Sequence, residues 1–144
     1  MNFKKTCTTV FTAILLAGTA VILPVQASEE APVQIPATIA ANWQAIDQQV
    51  AALSKAIQTG VFDEVHHRAF ALRDLVAALP ARSGSLPPDK LAQVKANVKF
   101  VATLAQRLDA TGDAKDKAGT ESNFKKLQGV LSAIRADYPK TVGK

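Results

Sequence analysis

From Ile39 onward, apolar residues return at alternating intervals of four and three: Ile39, Trp43, Ile46, Val50, Leu53 and Ile57. That spacing keeps one apolar stripe on one face of a helix for five turns. Pro36 suits a first turn, where its missing N–H costs nothing. Gly60 supplies the residue that helices favour just past their end. Helix 1 is therefore predicted over 36–59. Phe62, Val65, Ala69, Leu72, Val76 and Leu79 make a second stripe, with Asp63 and Glu64 in the first turn, where the helix dipole favours anions. Helix 2 is predicted over 62–79, and Pro80 ends it.

Residues 80–88 (PARSGSLPP) read as an ordered linker. Leu91, Val94, Val98, Val101, Ala105 and Leu108 then predict helix 3 over 88–110, with Thr111-Gly112 as its break. Phe124, Leu127, Leu131, Ile134 and Tyr138 predict helix 4 over 114–137, starting around Asp113 or Asp116. Its polar opening, KDKAGTES, contains Gly119 and is expected to fray. No segment sustains the period-two alternation of a strand. Four amphipathic helices on short connections bury their stripes only against one another. The expected fold is thus all-α, an up-down-up-down four-helix bundle over 36–138, with a tail at 139–144.

The chain's start has a different character. Lys4 and Lys5 precede a mainly apolar run from Val10 to Val25, and Val25-Gln26-Ala27 places small residues at −3 and −1. This is the anatomy of a cleavable Sec-type signal peptide over 1–27. It predicts a periplasmic protein with no stable membrane insertion after cleavage; an uncleaved anchor is the alternative, although Thr, Gly and Pro dilute the run. Residues 28–35 read as a flexible lead. Cys7 lies inside the leader, so residues 28–144 carry no cysteine. Disulfides, thiolate nucleophiles, iron–sulfur clusters and covalent CxxCH haem are excluded for that segment. Its 117 residues suffice for one domain with its own core. Loss of Lys4 and Lys5 leaves 15 basic and 12 acidic residues, interspersed, which is a solvated surface and not a nucleic-acid stripe.

Candidate chemistry is sparse. Met1 is the only methionine, so Met/His haem ligation is excluded once the leader is removed. Adjacent helical residues point about 100° apart, so His66 and His67 of one chain cannot clamp one iron from opposite sides. The di-iron pattern needs a second Glu-x-x-His copy, and none exists. No serine sits in a Gly-x-Ser-x-Gly elbow, and phosphate-loop and zinc spacings are missing. A non-enzyme is expected.

The remaining handle is "FDEVHHRAFALRDL", residues 62–75. With Phe62 at a and Val65 at d, His66 takes e, flanking the core, and His67 takes f, facing water. His66 should lie near Ser54, Leu108, Asp109, Asp116 and Glu121. Together with Asp63, His66 and His67 are candidate ligands for Cu(II), Ni(II) or Zn(II). A flanking histidine is ordinarily a hydrogen-bonded packing residue, and that reading stands first. Arg73 and Asp74 read by default as an interhelix ion pair, with a recognition patch as the alternative. Trp43 and Tyr138 fall at the opposite end. They read as core whose indole N–H and phenol reach the rim, with the floor of a ligand pocket as the alternative. Asn97 and Asn123 take g positions, there to pair across helices or to be solvated. Phe70 and Phe100 lie off the apolar seams and would furnish a partner surface.

"WQAIDQQVAALSKAIQTGVFDEVHHRAFALRDLVAALP", with "VKFVATLAQRLDATGD" and "NFKKLQGVLSAIR", resembles a family of small exported proteins of proteobacteria, including nitrifying species. The resemblance covers nearly all of the chain after the leader. It implies an up-and-down four-helix bundle, no established activity, and a link to metal efflux. The functional expectation is a non-enzymatic periplasmic binding or accessory bundle with weak divalent-metal affinity. The alternatives are a protein-interaction or envelope-stress scaffold with a protein partner, and a carrier of non-covalent haem or another small ligand.

Overall fold

The computed structural model describes residues 33–139. The signal-peptide prediction, the first residues of the lead and most of the tail lie outside that range. Four helices form: α1 (Ile39–Thr59), α2 (Asp63–Ala77), α3 (Pro88–Asp113) and α4 (Lys117–Ala136), with a 3₁₀ turn at Pro80–Arg82. Among the described residues there is no strand. Successive helices pack side by side, and α4 returns to α1 along a much sparser seam. The fold is the all-α, up-down-up-down bundle that the stripes predict.

The stripes meet as their periodicity requires. Every stripe residue is buried except Ile39, Val50, Phe62, Leu91 and Val98, which are partly buried against the same core. Each fully buried Leu or Ile adds about 1.5–3 kcal/mol. Cross-links fix the antiparallel order. At one end Asn42 Nδ2 donates to the Leu75 carbonyl (2.9 Å) and Lys90 pairs with Asp137 (3.0 Å). At the other, Asn123 Nδ2 donates to the Arg107 carbonyl at 3.4 Å.

Several local expectations are corrected. Helix α1 begins at Ile39, not at 36, because Thr38 is the N-cap: its hydroxyl accepts from Ala41 N–H at 3.2 Å. The lead is not wholly free either, since Val33 and Ile35 pack against the core. Gly60 does cap α1, in the left-handed conformation at φ 73°. Helix α3, however, runs through Thr111-Gly112 to Asp113. Gly112 serves packing: a Cβ there would come within 3.0 Å of Val65 Cβ on α2. The glycine lets the two helices approach closely without ending either.

The opening of α4 is held in place. Lys115 takes a positive φ of 53°, and Asp116 then caps the helix by accepting from Gly119 N–H at 3.0 Å. The buried Thr120 hydroxyl donates to the Asp116 carbonyl at 2.7 Å. From Lys117 on, the predicted fraying segment is helical. The 80–88 linker buries Ser83 and Leu86 at the end of the bundle. Ser83 donates to the Leu79 carbonyl (2.6 Å), which commits its single proton, so the Tyr138 phenol donates to Ser83 Oγ (2.6 Å).

Candidate functional site

The histidine region occupies the bundle end formed by the start of α2 and the end of α3. His66 is half-buried and His67 exposed, as the e and f positions require. His66 Nδ1–H donates to Asp109 Oδ1 at 2.7 Å, and its ring stands edge-on to His67 (5.3 Å) and to Phe70 (4.7 Å). Asp63 stays exposed in the first turn, and the carboxylate that reaches His66 comes from α3. Among the described residues, no three His, Cys, Asp or Glu side chains are arranged to hold a metal ion. His66, His67 and Asp63 are therefore not a preassembled ligand set. The reason is geometric: Asp109 takes the ring nitrogen, while Asp63 serves the helix terminus.

Further along α2, Arg73 bonds its own neighbour Asp74 (2.7 Å) and lies over the Phe70 ring at 4.5 Å. The interhelix pair expected from these two residues is replaced by a local one. Arg73 covers Phe70, which is half-buried, whereas Phe100 on α3 is 59% exposed. The two phenylalanines thus differ in surroundings, and only Phe100 offers a broad apolar face. Asn97 is half-buried, and Asn123 reaches a backbone carbonyl on α3.

The sparse α1–α4 seam opens into a cleft of about 250 Å³. Trp43, Ile46, Asp47 and Val50 line it from α1, and Gln128, Leu131, Ser132 and Arg135 from α4. Spacings of three and four put these residues on one face of each helix. Arg135 bridges the seam, donating through Nη2 to Asp47 Oδ1 at 2.7 Å, and its guanidinium lies 4.4 Å from the Trp43 ring centroid. Trp43 also meets Tyr138 edge-on, at 5.7 Å between centroids, as the expected aromatic cluster requires.

The fate of the indole differs from expectation. Trp43 Nε1 does not reach the rim: it is buried and has no hydrogen-bond partner among the described residues. Burying an unpaired donor costs about 1–3 kcal/mol. Asn42 Oδ1, one residue earlier, is likewise buried without a partner. A second hollow of about 310 Å³ lies on the outer α1–α2 face, where Arg68 is already paired with Glu64 at 2.9 Å. Among the described residues, no buried unpartnered donor lines it.

Asp47 and Arg135 are not recognisable as a pair in the sequence. They lie 88 positions apart and carry no motif. Their one signal is placement: Asp47 follows Trp43 by four residues, and Arg135 follows Leu131 by four. No protein-family model, curated protein or solved structure matches the chain. No helix among the described residues is long and apolar enough to cross a membrane.

Proposed function

We propose that the chain is a non-enzymatic periplasmic binding protein whose ligand site is the α1–α4 cleft. The reading is carried by one observation: an open seam with apolar walls in Trp43, Ile46, Val50 and Leu131 and a guanidinium, that of Arg135, over the Trp43 ring. Ligand sites of helical bundles form between helices, with apolar walls and few convergent polar groups. The periplasmic part of the proposal rests on the leader's signal-peptide anatomy.

Trp43 is the only tryptophan in the chain, so its fluorescence reports on the cleft directly. A neutral apolar probe of matching size, butylbenzene, is expected to change Trp43 emission saturably. Ser132→Phe, which narrows the cleft from an exposed position, is expected to weaken that binding at least ~10-fold, about 1.4 kcal/mol. Equal binding by this variant would move the site elsewhere.

A second reading keeps divalent metal at the histidines. It is favoured by the Asp109–His66 bond, because carboxylates orient metal-ligating imidazoles in this way and leave Nε2 free. With His66 or His67 and neighbouring acids as its donors, such a site binds Cu(II), Ni(II) or Zn(II) weakly. Titration of the wild type against His66→Ala/His67→Ala decides it: identical affinities end the metal reading.

A further inference from the structure

We infer that the α1–α4 cleft takes a small amphipathic monocarboxylate, which seats its head group on Arg135 and displaces Asp47; this rests on the cleft being a ligand site. The chemistry follows from the lining. Arg135 has five N–H donors in a planar fork and spends one on Asp47. The remaining N–H donors of that fork select an acceptor-rich, negatively charged head.

Charge balance limits that head to one negative charge. Among the described residues, Arg135 is the only cation in the lining and Asp47 its only anion. Asp47 is the weaker resident: its side chain is 55% exposed, and among the described residues Arg135 is its one partner. A ligand carboxylate can replace it on the fork while Asp47 turns to water. A dianion would instead face Asp47 with an unneutralised charge. An ammonium would abut the like charge of Arg135. The tail has apolar walls in Ile46, Val50 and Leu131. A volume of about 250 Å³ equals roughly eight waters at about 30 Å³ each, so the ligand has on the order of ten heavy atoms.

The test titrates the full chain with octanoate, 1-octanol and octylammonium below micelle-forming concentrations, following Trp43 emission. Octanoate is expected to bind at least ~10-fold more tightly than octanol, with octylammonium weakest. Two variants break the same ion pair with opposite consequences. Asp47→Asn removes the competitor and is expected to tighten octanoate several-fold. Arg135→Gln removes the fork and is expected to make octanoate and octanol equal. A merely structural role for the pair would move both variants the same way, and that result overturns the inference. Equal affinity for octanol and octanoate in the wild type overturns the carboxylate assignment and leaves the cleft as a ligand site. No response to any of the three, or to the neutral probe, removes the ligand site and the inference with it.

Discussion

His66 Nδ1 and Asp109 Oδ1 lie 2.7 Å apart, and this bond ties the start of α2 to the end of α3. The side chains are 45% and 27% exposed, so water screens the interaction and competes for both partners. Asp109→Ala is therefore expected to cost no more than about 1 kcal/mol, read as a lowered urea midpoint at unchanged slope. The same variant bears on the metal reading. Removing the carboxylate that orients a ligating imidazole weakens metal affinity about 10–100-fold. Unchanged Cu(II) affinity in Asp109→Ala would mean that His66 is a packing residue and no ligand.

Two helical glycines should respond to alanine with opposite signs. Gly129 is exposed on α4, and a Cβ added there would have nothing within 4 Å, so Gly129→Ala is expected to stabilise by about 0.8–1 kcal/mol. Gly112→Ala makes the same propensity gain, but its Cβ meets Val65 Cβ at 3.0 Å and Cγ1 at 3.1 Å. Val65 is fully buried, and its branched side chain has little rotamer freedom to yield. Overpacking of this kind costs about 1–3 kcal/mol, so the net effect is a loss of roughly 1 kcal/mol. Thermal unfolding of the two variants checks both signs; a stabilised Gly112→Ala would show that α2 and α3 can move apart freely.

These glycines also mark where the sequence is readable. The apolar stripes and the Gly60 cap follow from intervals within single helices, and local spacing is enough to fix them. Gly112 looks like a helix breaker in one dimension, and its use as a contact point emerges only once α2 lies against α3. Pro36 similarly outranks Thr38 as a start signal, although the threonine two residues on supplies the hydroxyl that a cap needs. At the histidines, heptad position alone separates His66 from His67, and bundle topology brings Asp109 within reach. The cleft is the opposite case. Nothing local distinguishes Asp47 and Arg135 from other solvated charges, because their role depends on how loosely the first and last helices close.

Tyr138 gives a pH dependence whose sign can be worked out. Burial raises its phenol above the ordinary value of 10.0; the Ser83 hydroxyl, able to turn its proton toward a phenolate, opposes this, and the negative charge of Asp137 adds to it. A group whose pKa is raised on folding binds its proton more tightly in the native state. Its stabilisation is thus fully present below the unfolded value of 10.0 and is lost as pH rises through the folded value. Tyr138→Phe is expected to cost about 1 kcal/mol near neutral pH through loss of the bond to Ser83, while Ser83 keeps its bond to the Leu79 carbonyl. Above about pH 10 the wild type should lose stability faster than the variant, so the difference between them narrows with pH. Since Tyr138 is the only tyrosine in the chain, phenolate absorbance follows the same group directly. A constant difference across the alkaline range would mean that the phenol ionises equally readily in the folded and unfolded chain.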